Sequence, residues 1–292
     1  MTSPVVAGSV VAGAVVVVAS DLDRTLIFSR RSGGHTGVAV KDVETYRDAP
    51  ISFVTPRAHD DLAALAASGR FVPVTTRTVE QYRRIRLPGP TPPLALCANG
   101  GRLLVDGVED EAWSRRASSS ASSSGEPFGA VWEWFAAACL DAAGEPHAFV
   151  SSFRAVEDLF VYAVAHEAWP QSWIDEVGAR VLQAGWSFSV QGRKVYAVPS
   201  GLSKGAGVTA LRELRPDVFG DGSGTATLVT AGDSWLDRTL LEVGDVAWTP
   251  RGSELHRAGF SLATLRVTAE EGFAAGEELA SAFASAVCGL RS

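Results

Sequence analysis

Two aspartates that are one residue apart follow an apolar run near the start of the chain. Asp21 and Asp23 come after four valines, an alanine and a serine, in the sequence VVVVASDLD. Two carboxylates this close are costly to ionise together unless a cation or a donor compensates. Mg²⁺ is such a cation, because it prefers oxygen ligands and binds phosphate oxygens. One acid could then attack phosphorus while the other transfers a proton. The alternative is that both acids only cap the following turn.

Two more positions have side chains suited to phosphate. Thr75 ends the short apolar run 71–74, where a hydroxyl and a helix amino terminus can hold an anion, although helix capping is the alternative. Lys204 is one of only three lysines and opens a predicted helix at 206–214. The helix dipole disfavours an ammonium there, so an anion should lie nearby. We expect Lys204 to neutralise phosphate and the charge developing on a nucleophile.

A second acidic pair follows another apolar run. In TLVTAGDSWLD, Asp233 and Asp237 are four residues apart and fall on one helical turn after a predicted strand. This arrangement repeats that of the first pair, and the two acids could share a cation. Capping of a helix by a single aspartate is the alternative.

The elements that must position these residues indicate an α/β fold. The run at 15–19 is too short for a good helix and too apolar for an exposed strand, which favours a buried central strand. In an open α/β sheet, functional groups gather at the carboxyl ends of such strands. Residues 38–54 alternate well enough for a hairpin near the site, which could be a lid. His35, in the glycine-rich turn before it, is interpreted as a solvated loop residue.

The middle of the chain predicts a separate α+β layer. Between 127 and 198 the pattern is helix, two strands, helix, two strands, with tryptophans expected in its core. The serine-rich stretch 118–125 before it is interpreted as a flexible surface loop. Arg193, in this layer, is a candidate substrate contact.

Composition limits the possible partners and locations. The 292 residues have a formal net charge of −7, so we expect no nucleic-acid partner. Three distant cysteines give no zinc or disulfide spacing, which suits a reducing cytoplasm. The apolar stretch 5–19 lacks a basic leader and is shorter than the roughly 20 residues of a spanning helix, so no membrane anchor is expected. The sequence leaves the oligomeric state open.

Together these segments resemble the four motifs of haloacid dehalogenase-like (HAD) phosphatases, in the same order. The motifs are DLDRT from Asp21, the strand-end Thr75 in TTR, Lys204 in LSKG, and GDSWLD through Asp237. The resemblance covers roughly 15–106 and 199–292, and ANGG at 98–101 strengthens it. The intervening layer is similar to the large α+β cap of the sucrose-phosphatase, mannosyl-3-phosphoglycerate phosphatase and Cof-type group.

The resemblance implies an organisation and a role for each motif residue. It implies a Rossmann-like parallel-sheet core at 1–106 and 199–292 with an inserted α+β cap at 107–198. Asp21 would be the nucleophile that forms an aspartyl-phosphate. Asp23 would be the general acid and later the base, and its backbone carbonyl would bind Mg²⁺. The remaining implied roles are phosphate binding for Thr75 and Lys204, and metal ligation by Asp21, by Asp233 directly and by Asp237 directly or through water.

The resulting hypothesis is a magnesium-dependent hydrolase of a small phosphorylated metabolite, such as a sugar phosphate, with a cap that excludes bulk water. Arg77 and Asn99 are further candidate substrate contacts. Two positions depart from the family pattern, namely Arg24, where many relatives have Gly or Asn, and Leu236, where many capped relatives have Asn. A phosphomutase on the same scaffold and a noncatalytic phosphometabolite-binding protein are the alternatives.

Overall fold

The computed structural model describes residues 15–34, 37–123, 125–220 and 226–289, so the expectation for His35 lies outside the described residues. The strands are β1 (Val16–Ser20), β2 (Lys41–Tyr46), β3 (Ala49–Val54), β4 (Phe71–Pro73), β5 (Leu94–Cys97), β6 (Arg102–Val105), β7 (Val108–Glu109), β8 (Val150–Val156), β9 (Phe160–Ala165), β10 (Trp186–Gln191), β11 (Lys194–Pro199), β12 (Thr227–Ala231), β13 (Val246–Arg251) and β14 (Leu265–Glu271). The helices are α1 (Pro56–Ala67), α2 (Val79–Arg83), α3 (Glu111–Ser122), α4 (Phe128–Ala138), α5 (Gln171–Gln183), α6 (Lys204–Leu214), α7 (Pro216–Phe219), α8 (Arg238–Glu242), α9 (Glu254–Arg257) and α10 (Gly272–Cys288).

The chain divides into two compact units. Residues 1–109 and 204–292 form the first unit, and residues 110–203 form the second. The sequence-based limits of the inserted unit, 107 and 198, lie three and five residues before these bounds. Each unit is described by itself below.

The first unit is built on a five-stranded parallel sheet in the order β14-β13-β12-β1-β4. All five residues of β1 are buried, which explains why four consecutive valines precede the first acid. Leu62 and Leu65 of α1 and Leu279 and Phe283 of α10 belong to the same core as the β1 valines. Burial of each such side chain stabilises the fold by about 1.5–3 kcal/mol. The predicted α/β class with a Rossmann-like parallel sheet is confirmed.

Strands β2 and β3 form the predicted antiparallel hairpin. Backbone hydrogen bonds join the hairpin to other parts of the first unit. Phe28 pairs with Phe53 through reciprocal backbone hydrogen bonds, and the Arg86 amide donates to Val43 O at 2.7 Å. The hairpin is therefore fixed next to the residues that follow β1 and α2.

The second unit has the predicted succession of helices and strands. Its antiparallel sheet has the order β10-β11-β9-β8. Of the five tryptophans expected in the core, Trp134, Trp173 and Trp186 are buried, whereas Trp132 and Trp169 are half-buried. The indole N–H of Trp173 donates to Ala138 O at 2.7 Å, which satisfies its polar atom while the ring fills the core.

The prediction of a flexible serine-rich loop at 118–125 is wrong for its first five residues, because α3 continues through Ser122. Asp110 caps the helix by accepting a hydrogen bond from the Trp113 amide, and Trp113 is buried. The Ser122 hydroxyl donates to Ser118 O at 2.8 Å. Serine hydroxyls can bond back to the preceding turn, so a capped and anchored helix tolerates them.

In the described part of the chain, every helix is too short or too polar to cross a bilayer.

Candidate active site

Asp21 lies where β1, an interior strand of the parallel sheet, ends. Its amide donates to Ala231 O at 2.9 Å, so the carboxyl ends of β1 and β12 are joined directly beside it. The chain then turns tightly, with the Leu26 amide donating to Leu22 O at 2.9 Å. This turn leaves Asp21 buried at 4% exposure, whereas the Asp23 side chain is 47% exposed. The two predicted acids thus occupy different environments at one strand end.

Lys204 lies between the two acidic motifs. Its ammonium Nζ donates to Asp21 Oδ1 and to Asp237 Oδ1, each at 2.5 Å, and the residue is 1% exposed. Gly205 allows this approach, because a Cβ there would lie 2.2 Å from the backbone oxygen of Thr239. The first turn of α6 therefore sits close enough to α8 to bring the lysine to both carboxylates.

Asp237 is held by the turn that follows β12. Its Oδ2 accepts hydrogen bonds from the Asp233 amide at 3.1 Å, the Ser234 amide at 3.0 Å and the Ser234 hydroxyl at 2.8 Å. A Cβ on Gly232 would lie 2.2 Å from the Asp237 Cβ, so glycine is required at that position. With Lys204 on its other oxygen, Asp237 is a fixed carboxylate that orients its neighbours.

Burial dominates the electrostatics of the site. It raises the pKa of Asp21 to about 7, and Asp237 and Asp23 add to the rise while Lys204 opposes it. Burial also raises the pKa of Asp233 well above its ordinary value, with further contributions from Asp237 and Asp21. For Lys204, burial alone would lower the pKa, but the Asp21 and Asp237 carboxylates outweigh it and raise the pKa. The cluster therefore has more negative charge than its one lysine balances.

The acids have the chemistry of a divalent metal site. Asp21, Asp233 and Asp237 are buried, and one carboxylate oxygen from each lies within 4.8 Å of the others. Lys204 pairs with two of these three carboxylates, so a cation would relieve the surplus negative charge. Carboxylate oxygens are the ligands that hard cations such as Mg²⁺ prefer. The donor set therefore fits the predicted metal.

Thr75 is buried directly after β4 and its adjoining residue Val74. Its hydroxyl oxygen accepts a hydrogen bond from the Arg77 amide at 3.1 Å. The cap of α2 is a different residue, Thr78, which accepts from the Gln81 amide in a capping box. Thr75 is therefore not the cap of α2. The Thr75 hydroxyl O–H can still donate a hydrogen bond.

The three candidate substrate contacts lie in different settings. Arg77 pairs with Asp23 through Nε and Nη2, each at 2.7 Å from a carboxylate oxygen. Asn99 is buried in a 3₁₀ turn, where its backbone is left-handed, and its backbone N–H donates to Thr75 O at 3.0 Å. Arg193 is in the second unit, in the turn between β10 and β11, where its Nη1 donates to His166 O at 3.1 Å. Their roles toward a substrate stay predictions.

Four further residues belong to this region and were not singled out from the sequence. The Thr25 hydroxyl donates to Asp21 Oδ2 at 3.1 Å, and its spacing of four residues from Asp21 was an available signal. Glu44 and Ser52, on the hairpin, join the Arg77 network. Burial raises the pKa of Glu254 to about 7, with Asp237 adding to the rise and Arg24 opposing it. Nothing in the sequence distinguishes Glu254 or Glu44 from other glutamates.

The two departures from the family pattern have local explanations. Arg24 has a φ of 61°, a region that Gly and Asn enter more easily and that costs another residue about 1 kcal/mol. Its positive charge opposes the rise in the pKa of Asp233. Leu236 lies in the 3₁₀ turn Trp235–Asp237, next to the carboxylate that Lys204 contacts. Lys204 is thus positioned by two carboxylates without an amide at 236.

The chain is similar in structure to several solved phosphatases. Sucrose-phosphatase from Synechocystis sp. PCC6803, solved with sucrose and phosphate, matches 92% of this chain and 98% of its own at 13% identity and a TM-score of 0.56. The C-terminal domain of C. albicans trehalose-6-phosphate phosphatase matches 95% and 93% at 9% identity and a TM-score of 0.54. BT1666 from Bacteroides thetaiotaomicron, a phosphatase of the HAD superfamily, matches 94% and 98% at 13% identity and a TM-score of 0.52.

These similarities confirm the predicted resemblance at the level of the fold: over nearly its whole length the chain has the fold of these phosphatases, one of which is from the HAD superfamily. No family model and no curated protein sequence matches the chain. The activity is therefore argued from the site.

Proposed function

We propose that the protein is a Mg²⁺-dependent phosphomonoester hydrolase that acts on a small phosphorylated metabolite, with sugar phosphates as the first class to test. One observation carries the proposal. Asp21, Lys204 and Asp237 come from distant parts of the sequence and meet in one buried cluster, with Lys204 Nζ at 2.5 Å from both carboxylates. The cluster lies at the carboxyl ends of adjacent parallel strands, where open α/β sheets bind ligands. The solved phosphatases of the same fold, which include sugar-phosphate phosphatases, suggest the substrate class.

The side chains have complementary tasks in such a reaction. Asp21 attacks phosphorus and becomes an aspartyl-phosphate, while Asp23 protonates the leaving alcohol. Asp23 then takes a proton from the water that attacks the aspartyl-phosphate, which releases phosphate and restores Asp21. Bound by Asp21, Asp233 and Asp237, and by the backbone carbonyl of Asp23, Mg²⁺ would offset negative charge on the transferring phosphoryl group.

Lys204 and Thr75 are the proposed phosphate contacts. An ammonium has three N–H donors, and Asp21 and Asp237 accept two of those of Lys204. The third is available to a phosphate oxygen, and a buried cation there is effective because little water screens it. The Thr75 hydroxyl can donate to another phosphate oxygen.

The direct test is release of inorganic phosphate from a panel of sugar phosphates and other phosphomonoesters, with Mg²⁺ and with a chelator. We expect release from at least one ester, only when Mg²⁺ is present. Phosphate that reappears on another hydroxyl of the substrate would indicate the phosphomutase instead. Tight binding without turnover across the panel would favour the noncatalytic binding protein, for which Arg24 and Leu236 were the motivating residues.

Metal binding gives a prediction that needs no substrate. A cation that binds only the folded protein raises the unfolding free energy, by about 2.7 kcal/mol at one hundred times its dissociation constant. We expect Mg²⁺ to raise the melting temperature of the wild-type protein and to have little effect on Asp233→Asn. Asp217→Asn is the matched control, because Asp217 is a solvent-exposed acid paired with Arg215. An equal Mg²⁺ response in all three proteins would contradict the proposed metal site.

A further inference from the structure

A second charged cluster lies next to the metal-binding acids and has a different composition. Arg77 is at its centre, with a side chain that is only 14% exposed. Its Nε and Nη2 donate to the two carboxylate oxygens of Asp23, and its Nη1 is 2.7 Å from Glu44 Oε1. The guanidinium thus joins an acid at the strand end to an acid on the β2–β3 hairpin.

Glu44 is the unexpected member of this cluster. Its side chain is fully buried, which is costly for a carboxylate unless partners compensate. The Ser52 hydroxyl, on the neighbouring strand, donates to Glu44 Oε2 at 2.6 Å, and Arg84 Nε lies 3.5 Å from Oε1. Ser52 is also 3.5 Å from Arg77 Nη2. The hairpin therefore holds the Glu44 carboxylate in a fixed position beside Nη1 of the Arg77 guanidinium.

The geometry of Arg77 gives this anion a role at the site. A guanidinium is planar and offers its donors in a rigid fork, so fixing one edge fixes the other. Both Asp23 oxygens accept hydrogen bonds from Arg77, so the orientation of the Asp23 carboxyl group is set by the guanidinium. How far Arg77 can rotate depends on its opposite contact, which is Glu44.

We propose that Glu44 is a positioning residue that holds Arg77, and through it Asp23, in the orientation needed for proton transfer to the leaving group. This inference rests on the proposed hydrolase function and on the assignment of Asp23 as general acid. It adds the hairpin, first interpreted as a lid, as a structural support of the proton-transfer step.

The dependence of kcat/KM on the leaving group distinguishes a positioning role from a general structural defect. A poor alkoxide leaving group needs protonation as it departs, whereas p-nitrophenolate needs little help. We expect Glu44→Gln to lower kcat/KM for an alkyl phosphate found in the panel by about 10- to 100-fold, and for p-nitrophenyl phosphate by less than about threefold. Using kcat/KM confines the comparison to steps up to departure of the leaving group. Glu111→Gln is the matched control, because Glu111 is an exposed acid whose ion pair is with Arg115, outside this cluster.

Equal losses for both esters would overturn the proposal, since a structural defect affects them alike. Rescue gives a second criterion: Glu44→Asp keeps the charge and should recover part of the alkyl-ester rate, whereas Glu44→Ala should not. Recovery that is equal for Glu44→Asp and Glu44→Ala would also contradict a role through Arg77.

A double-mutant cycle measured by thermal unfolding tests the connection between Glu44 and Asp23 without an activity assay. If Arg77 joins Glu44 to Asp23, the changes in melting temperature for Glu44→Gln and Asp23→Asn are non-additive, and they become additive in an Arg77→Met background. Additivity in the presence of Arg77 would overturn the positioning role. Absence of any hydrolysis by the wild-type protein would instead refute the proposed function, so the two failures are distinguishable.

Discussion

Replacing Asp21 by Asn is expected to abolish phosphate release, with a loss of at least about 10³-fold in kcat, while the protein stays folded. The amide has nearly the same shape as the carboxylate but cannot attack phosphorus to form the acyl phosphate. Asp237 remains as a carboxylate partner of the buried Lys204 ammonium, so the variant is expected to stay folded. The measurement is steady-state phosphate release, together with the melting temperature of each protein.

Asp217→Asn again provides a matched control, because the same substitution is made at an exposed surface pair. It should leave both rate and stability almost unchanged. Turnover by Asp21→Asn at the wild-type rate would remove Asp21 from the mechanism. If activity is lost together with a large fall in melting temperature, unfolding could be the cause, and the assay is repeated at a lower temperature at which the variant is folded. Recovery of phosphate release at that temperature would contradict the nucleophile role of Asp21.

The parts of the fold that could be predicted from sequence are those in which local pattern and burial agree. The valine run became β1, which is buried as predicted and interior to the sheet, although the central strand is β12. The alternating residues 38–54 became the β2–β3 hairpin. Strand β14 was not predicted, because it lies at the edge of the sheet and most of its LRVTAEE residues are exposed or half-buried. The LRVTA part does alternate apolar and polar residues, but its one buried residue is Thr268, so the alternation does not mark an apolar core face.

The serine-rich part of α3 shows the opposite limitation. Its composition is typical of a loop, yet a capping Asp110 and the buried Trp113 fix the first turn of a helix. Tertiary anchoring outweighs the weak helix preference of serine, which differs from alanine by less than about 1 kcal/mol per residue. Such anchoring cannot be read from composition, because it depends on what lies against the tryptophan.

The same reasoning separates the acids that sequence identified from those it missed. Asp21 and Asp233 each follow an apolar strand, so position along the chain indicates a site. Glu44 lies within a hairpin strand, where a glutamate usually faces solvent, and only the three-dimensional structure shows that its side chain is buried against Arg77. A residue proposed to act through another one, such as Glu44, has no characteristic position in the sequence, whereas an acid at a strand end directly follows an apolar run.

Lys204→Met is expected to lower the free energy of unfolding by about 3–5 kcal/mol in the absence of Mg²⁺, because it leaves buried carboxylates without their cation. Lys204 contacts Asp21 and Asp237 at 2.5 Å and is almost completely buried, and methionine fills much of the same volume without charge. Chemical denaturation of the wild-type and variant proteins measures the difference.

Lys41→Met makes the same substitution at an exposed pair, in which Lys41 Nζ is 3.6 Å from Asp60. Solvent screens an exposed pair of this kind, so this control should be nearly neutral. Mg²⁺ should restore part of the stability lost in Lys204→Met, because a divalent cation bound by the acids replaces some of the missing positive charge. In Lys41→Met, Mg²⁺ should give no comparable recovery. A loss in Lys204→Met no larger than in the control, with no response to Mg²⁺, would mean that the acids do not depend on this lysine. The charge balance that supports both the metal site and the phosphate contact would then be wrong.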